Sequence, residues 1–292
     1  MIQNLQTKGE YVSIANNRKD LDHKLGISSI PTRLHYPCKK CKKVTSVDLY
    51  SKNIPECCGI KFSRFEDHFF TFDAGEILKL RLPHVQRRTD FHHTTAINNL
   101  NVEFTNQDYT ITMNTDGAPI FKSSNSSLWP ILGKINEAKN LRTNETLLFA
   151  VWIGKKPNVD IFLQPLMDQM KTLAQHGLEW RTLKNEVVIS RFYILCVLCD
   201  SVARPMVQKM TQFNGKFGCG YCYYDTPGIF LPSVVMKLRS HEEYLTDLAC
   251  LQNQKMETYR GLRGLSPLLS LSYFNMIDGK QYDYQCYFEQ QF

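Results

Sequence analysis

Apolar runs and one amphipathic segment follow each other in a fixed order and limit the folds open to this chain. Residues 109–113 and 145–154 are rich in apolar and β-branched side chains, which predicts two strands. Residues 160–176 have apolar side chains at helical spacing, and the long apolar run 186–199 predicts a buried strand. A helix that returns to a neighbouring strand implies a right-handed crossover, so we predict an α/β fold with a mixed sheet.

The ends of the two predicted helices carry recognisable signals. Asp160 is the predicted N-cap of the first helix, and Gly177 is its predicted stop. A second helix is predicted to begin after the buried strand, capped by Asp200 or Ser201. Pro205 fits only within the first turn of that helix.

Two aspartates follow predicted strands. Asp116 lies in a turn after the first strand, and Asp200 follows the buried run directly. Carboxylates at the ends of adjacent strands can hold Mg²⁺ or Mn²⁺ ions about 3.5–4 Å apart for phosphodiester chemistry. The alternative is structural, because Asp-Gly is a common turn pair and an aspartate often caps a helix. The spacing alone favours the structural alternative.

Six blocks run in order between residues 101 and 275. They are NTDGAPIFKSS (114–124), WPI (129–131), NE (136–137), CDSVAR (199–204), FNGKFGCGYC (213–222) and GLRGLSPL (261–268). Together they resemble the core of transposase-derived proteins of the Tnp2/CACTA-like class. The resemblance implies an RNase H-like mixed sheet flanked by helices, acting on DNA with Mg²⁺ or Mn²⁺. It also implies that Asp116 and Asp200 are the first two acids of a DDE triad.

The third acid of that triad has no clear match. In the family, an Asp-x-Met-His block follows and leads into helices that carry the last acid. Here residues 278–285 (DGKQYDYQ) stand at that place without the Met-His, and Asp283 and Glu289 are the remaining acidic candidates. We therefore expect a transposase core over 101–292 that is incomplete at its C-terminus. Enzymatic activity is left undecided.

A Cys-x-x-Cys pair, Cys219 and Cys222, follows the second predicted helix. Two thiolates at this spacing suit a tetrahedral zinc ion, because the turn between them aims both sulfurs at one point. His241 is the best third ligand, as the resemblance also implies, and Cys250 is a weak fourth. The alternative is two buried cysteines in a glycine-rich turn.

Residues 35–82 contain a second cysteine group and are predicted to form a small zinc-ribbon-like module. Cys38 and Cys41 have the spacing of a zinc knuckle. Cys57 and Cys58 are a poor second pair, because consecutive side chains of an extended segment point in opposite directions. We expect one of these two to bind, with a histidine completing the set. The candidate histidines are His35 and His68.

Several cations suit contacts to DNA phosphates, whose strength depends on salt. Arg204 lies four positions after Asp200, where a structural ion pair is the commoner outcome. The other four surround the first knuckle, where a solvated lysine-rich turn is the alternative. They are Lys39, Lys40, Lys42 and Lys43.

The bulk composition permits these hypotheses. The chain has 292 residues and a formal net charge of +7, which allows nucleic-acid binding without establishing it. The first ten residues lack the apolar run of a signal peptide, and no later run is long enough to span a membrane. The ten cysteines are therefore expected to be reduced, which favours zinc over disulfides. We expect a nuclear protein, or otherwise a cytoplasmic one, with a polar N-terminal arm over 1–34.

Two hypotheses remain. The first is a DDE transposase-derived protein whose relatives cut and join DNA strands. The second is a non-enzymatic DNA-binding or protein-interaction protein that keeps the fold and the zinc modules. DNA is the main expected partner, and a homo-oligomer is left open.

Overall fold

The computed structural model describes residues 30–49, 51, 55–63, 66–88, 102–119, 126–139, 146–225 and 236–279. Its strands are β1 Thr32–Pro37, β2 Val44–Asp48, β3 Glu56–Cys57, β4 Ile60–Lys61, β5 His68–Phe72, β6 Tyr109–Thr115, β7 Ala118–Pro119, β8 Ser127–Ile135, β9 Leu147–Gly154, β10 Leu178–Arg181, β11 Val187–Ser190 and β12 Phe192–Leu198. Its helices are α1 Ala74–Arg81, α2 Val159–His176, α3 Arg204–Gln208 and α4 His241–Asn253, with 3-10 turns at Leu82–His84 and Pro267–Ser270. The predicted arm up to residue 29, Asp283 and Glu289 lie outside the described residues.

One eight-stranded mixed sheet organises the molecule, in the order β12-β6-β8-β9-β5-β1-β2, with β7 paired to β8. Its pairings are antiparallel except the one between β6 and β12, which is parallel. The chain leaves β9, forms α2 and the β10–β11 hairpin, and returns to the sheet as β12. The predicted α/β fold with a mixed sheet is confirmed at this level.

The strands of the cysteine-rich region belong to this same sheet. β5 pairs with β9, with Phe69 opposite Trp152, and β1 and β2 continue the sheet beyond β5. The strands β1, β2 and β5 of the cysteine-rich region therefore belong to the same hydrogen-bonded sheet as β6, β8, β9 and β12. The cysteine hairpins project from one edge of that sheet.

Aromatic packing joins the sheet to α2. The ring centroids of Phe69 and Trp152 lie 5.4 Å apart, and each lies within 6 Å of the Phe162 ring on α2. The buried residues of α2 recur at helical spacing, so one face of the helix covers the sheet. This arrangement fixes the crossover that brings β12 back beside β6.

The predicted start of α2 is wrong by two residues. Asn158 is the N-cap, and its side chain accepts a hydrogen bond from the backbone N–H of Asp160. The predicted stop is confirmed, since the Gly177 N–H donates to Leu173 and its φ of 72° favours glycine. Pro205 lies in the first turn of α3, as predicted.

The single buried strand predicted over 186–199 is wrong. The run divides into β11, which pairs with β10 in a separate hairpin, and β12, which enters the main sheet. Val187 and Ile189 on β11 are exposed, although their side chains are as apolar as those of β12. Apolar composition alone therefore did not reveal the break at Arg191.

Gly133 on β8 lies where the sheet has no room for a side chain. A Cβ at this position would overlap the ring of Phe149, which is fully buried, and would press on Ile111. We expect Gly133→Ala to lower the free energy of unfolding by about 1–3 kcal/mol, because a packed core resists added volume. Chemical denaturation measures the change. Lys134→Ala at the next, exposed position is the control and should shift it by less than about 0.5 kcal/mol.

His35 on β1 is a buried histidine held in its neutral form. Its ring lies between the hydroxyls of Ser46 and Thr71, at 2.7 Å from each, and stacks on Phe69. Burial, with a smaller contribution from Arg33, lowers the pKa of His35 to about 4.

This lowered pKa predicts a loss of stability in acid. As pH falls below the unfolded value of about 6.5, the unfolded chain takes up a proton that the folded ring refuses. Between pH 7 and 5.5, the wild type should therefore lose about 1 kcal/mol more stability than His35→Gln. Urea titrations of both proteins at the two pH values measure the difference. Equal losses in both proteins would contradict the assignment of a neutral ring.

Candidate metal centre

Four cysteine sulfurs meet at the edge of the sheet. The sulfurs of Cys38, Cys41, Cys57 and Cys58 all lie within 4.8 Å of one another, the one such group of potential metal ligands among the described residues. The Cys41 and Cys57 sulfurs are 3.5 Å apart, and those of Cys57 and Cys58 are 3.8 Å apart. A tetrahedral zinc ion with Zn–S bonds of about 2.3 Å needs sulfurs about 3.8 Å apart. The four residues therefore fit a zinc ion.

The first cysteine pair lies in the tight turn between β1 and β2. The N–H of Lys42 donates to the carbonyl of Cys38, and the N–H of Cys38 donates to Lys43. Lys42 has a φ of 63°, which reverses the chain within the turn. Backbone N–H groups, first that of Cys41 and then that of Lys40, donate to the Cys38 sulfur and lower its pKa to about 7. The turn therefore prepares one thiolate before any metal arrives.

The second pair lies in the two-residue turn of the β3–β4 hairpin. Cys58 has a φ of 54° and Gly59 a φ of 73°, so both turn residues are left-handed, as in a type I′ turn. The expectation that one of Cys57 and Cys58 binds rested on an extended backbone, which Cys58 does not have. Because Cys58 is not extended, its sulfur turns to the same side as that of Cys57.

The crowded sulfurs resist losing all their protons. Hydrogen bonds in which the Cys57 thiol is the donor, first the one to Cys41, hold its proton and raise the pKa of Cys57 to about 12. A hydrogen bond to Cys41 likewise raises the pKa of Cys58. Negative charge accumulates with each further ionisation, and a divalent cation at the centre would offset it. The cluster is thus chemically suited to a metal that accepts thiolates.

Neither predicted histidine ligand belongs to this group. Both ring nitrogens of His35 face the hydroxyls of Ser46 and Thr71, and Nδ1 of His68 lies 2.7 Å from the carbonyl oxygen of Glu66. The fourth member of the group is the second cysteine of the hairpin instead.

The other predicted zinc ligands are not brought together in the same way. Cys219, Cys222 and His241 do not form a group within 4.8 Å in the part of the chain that the structure describes. His241 is the first residue of α4, and its Nδ1 accepts a hydrogen bond from the N–H of Met276. Ser240 caps this helix through the N–H of Glu243, and the Ser-x-x-Glu spacing was a sequence signal for the helix start.

Asp116 and Asp200 follow the C-terminal ends of two adjacent strands of the sheet. β6 and β12 are parallel neighbours, with Asn114 opposite Leu198, and each aspartate stands two residues beyond its paired residue. Both carboxylates are exposed. After burial, Asp200 and then Asp116 raise the pKa of the Cys199 thiol, which reaches about 12. Two negative charges therefore act on one buried thiol.

The two aspartates also have the structural roles weighed from sequence. Oδ1 of Asp116 accepts the N–H of Gly117, and Oδ1 of Asp200 accepts those of Val202 and Ala203. Asp200 thus caps the turn that leads into α3. The predicted cap of the helix itself at Asp200 or Ser201 is wrong, because α3 has Ala203 as its N-cap and no side-chain cap. Only one oxygen of each carboxylate takes part in these bonds, so the turn and the cap leave room for a cation ligand.

The predicted DNA-contacting cations differ in their partners and in their exposure. Lys39 pairs with Glu66 at 2.8 Å, whereas Lys40, Lys42 and Lys43 are exposed on the cysteine turn. Arg204 begins α3, and its charge acts on the Cys199 thiol close to the paired aspartates.

Comparison with known proteins gives no family for this chain: no protein-family model matches it, and no curated protein is similar enough to count as a match. Among the described residues, no helix combines the length and the apolar character needed to cross a membrane.

Proposed function

We propose that the chain is a transposase-derived DNA-binding protein with an RNase H-like core, in which Asp116 and Asp200 bind a divalent cation next to DNA. One observation carries the proposal. The parallel pairing of β6 with β12 presents two exposed carboxylates from adjacent strands at the same height of the sheet.

The strand order supports the RNase H-like assignment. Such a core has three consecutive antiparallel strands, then a helix, then a strand parallel to the first and beside it. β6, β8, β9, α2 and β12 follow this order, and they lie in the sheet as β9-β8-β6-β12. The resemblance of the segments around Asp116 and Asp200 to Tnp2/CACTA-like proteins points in the same direction.

The distance between adjacent strands supports a cation-binding site formed by the two carboxylates. Adjacent strands are about 4.8 Å apart, which is within the reach of two carboxylates for one hydrated Mg²⁺ or Mn²⁺ ion. Bound there, the cation would supply charge stabilisation at a phosphate. The aspartates themselves need only hold the cation beyond the C-terminal ends of β6 and β12.

The zinc-ribbon-like hairpins would provide a second contact to DNA. A zinc ion on the four cysteines would fix the lysine-bearing turn, and its exposed cations suit phosphate oxygens. The net charge of +7 favours association with nucleic acid in the same sense. We propose nuclear DNA as the partner.

Manganese binding tests the aspartate pair. We expect Asp116→Asn and Asp200→Asn each to weaken Mn²⁺ binding at least about tenfold, measured as free Mn²⁺ by electron paramagnetic resonance. Asp168→Asn, at an exposed position on α2, is the matched control and should bind as the wild type does. Trp129 packs where a side chain at Gly117 would lie, so bound Mn²⁺ should also quench its fluorescence. Unchanged Mn²⁺ binding in both variants would overturn the shared site.

A cleavage assay separates the enzyme from the non-enzymatic alternative. Strand breaks in plasmid DNA that require Mn²⁺ and disappear in Asp116→Asn and Asp200→Asn would support transposase-type chemistry. DNA binding without any strand break in the wild type would support the binding protein, whose fold and zinc site are the same. Asp168→Asn again serves as the control.

A further inference from the structure

We infer that Cys219 and Cys222 form a redox-active dithiol that closes to a disulfide, with the buried Arg239 guanidinium bonded to the backbone carbonyls of both residues. This inference concerns a different part of the molecule from the proposed function and does not rest on it. Cys-x-x-Cys spacing serves thiol–disulfide chemistry as well as zinc, and the surroundings decide between the two.

The backbone holds the pair in a folded loop. The N–H of Tyr223 donates to Lys237 and that of Arg239 donates to Tyr221, so Cys222 lies in a short antiparallel bridge opposite Leu238. Cys222 is buried and Cys219 is half-buried. The N–H of Tyr221 donates to the Cys219 sulfur at 3.4 Å, and the interaction with the Cys219 side chain raises the pKa of the Cys222 thiol. The sulfurs are therefore already neighbours.

Arg239 gathers the loop around a positive charge. Its residue is 4% exposed, and its Nε donates to the carbonyl oxygens of Cys219 and Cys222 at 3.1 Å each. Its Nη2 donates to the carbonyls of Phe217 and Arg260. The guanidinium thus binds the first and last residues of the Cys-x-x-Cys turn at the same time.

This guanidinium has no bonded carboxylate among the described residues. The nearby buried acid, Asp247, is already bound by the Tyr223 hydroxyl at 2.8 Å and by Arg260 at 3.2 Å. Nη1 of Arg239 is buried and has no hydrogen-bond partner in the described part of the chain. Carbonyls and the Tyr223 ring bind the guanidinium but do not neutralise its charge. A buried positive charge is costly unless a negative charge balances it, so a neighbouring thiolate is favoured and a second cation is disfavoured.

The surroundings of the two cysteines also favour a dithiol over a zinc site. Within the described residues, no group of three potential ligands forms around Cys219 and Cys222, and His241 instead accepts the N–H of Met276. Among the residues that the structure describes, these two thiols have no third and fourth ligand of a structural zinc site beside them. A redox-active dithiol needs only two cysteines at this spacing with positive charge nearby.

The reaction with hydrogen peroxide balances without any other reactant. The Cys219 thiolate attacks one peroxide oxygen, which gives a sulfenic acid at Cys219 and releases hydroxide. The Cys222 thiol then attacks that sulfur, forms the disulfide and releases water. Hydroxide takes up the proton left by the first thiol as a second water. The pair loses two electrons, and the peroxide gains them.

Oxidation of the full-length protein tests the inference directly. Trypsin cleavage after Lys216 and Lys237 releases peptide 217–237, which contains these two cysteines and no other. After hydrogen peroxide treatment, alkylation and digestion, we expect mass spectrometry to find this peptide with an internal disulfide. In Cys222→Ser, Cys219 should instead be trapped by dimedone as a sulfenic acid. Cys250→Ser is the control and should oxidise as the wild type does.

Metal content and His241 separate the dithiol from a zinc site. We expect His241→Ala to leave both the oxidation of peptide 217–237 and the zinc content of the protein unchanged. Loss of one zinc ion per chain in His241→Ala or Cys222→Ser would overturn the inference. So would a peptide 217–237 that remains fully alkylated after peroxide treatment.

Discussion

Replacing Cys38 with serine should remove zinc from the four-cysteine centre and lower the free energy of unfolding by at least about 3 kcal/mol. Cys38 is 1% exposed and packs in a small core with Leu34, Tyr36 and Phe62. Its sulfur is also the one whose pKa is lowered, to about 7, by backbone N–H groups. Serine cannot replace this thiolate as a soft ligand for zinc.

The size of this effect follows from the hairpin opposite Cys38. β3 and β4 have two residues each, and so short a hairpin is not stable alone. A zinc ion shared by Cys38, Cys41, Cys57 and Cys58 would tie this hairpin to the turn after β1. Removing the ion therefore releases both turns, and the cost exceeds that of the single lost side chain.

Two measurements check this prediction. Metal analysis by mass spectrometry should find about one zinc ion per wild-type chain and close to none in Cys38→Ser. Denaturant titration should show the matching loss of stability. Cys250→Ser, at a half-buried cysteine outside the group, is the control for a cysteine substitution as such. Full zinc retention in Cys38→Ser would rule out the four-cysteine centre.

Much of the fold could be predicted because its signals are local. The strand before Asp116 and the helix before Gly177 have the periodicity and end residues of such elements, and the structure contains both. The hairpin of β11 was missed because its exposed Val187 and Ile189 are as apolar as a buried strand. Exposure is set by what packs against a segment, which composition does not state.

The cysteine centre could likewise be predicted in part from the sequence. Cys38 and Cys41 could be paired from spacing, since one turn determines where their sulfurs point. The use of both Cys57 and Cys58 depends on the left-handed backbone at Cys58, for which Gly59 in a two-residue turn was the available signal. The role of Arg239 had no signal, because its partners are backbone carbonyls from two separate segments, residues 217–222 and residue 260.

The lysines of the cysteine turn should dominate the salt dependence of DNA binding. Lys40, Lys42 and Lys43 are exposed around the first knuckle, and a zinc-fixed turn would hold them toward a phosphate backbone. Each phosphate contact releases counterions and contributes about 0.9 to the slope of log affinity against log salt. The triple replacement of these lysines by glutamine should therefore reduce that slope by about 2–3 and the affinity at low salt by about 100-fold.

Lys39 provides a matched control on the same turn. Its ammonium pairs with Glu66 at 2.8 Å, and this hydrogen bond raises its pKa. Since its charge is already partly offset, Lys39→Gln should weaken DNA binding less than about threefold. Fluorescence anisotropy with duplex DNA at several salt concentrations measures both variants. A triple variant with the wild-type slope would place the DNA surface elsewhere, because a phosphate contact cannot be lost without a change in counterion release.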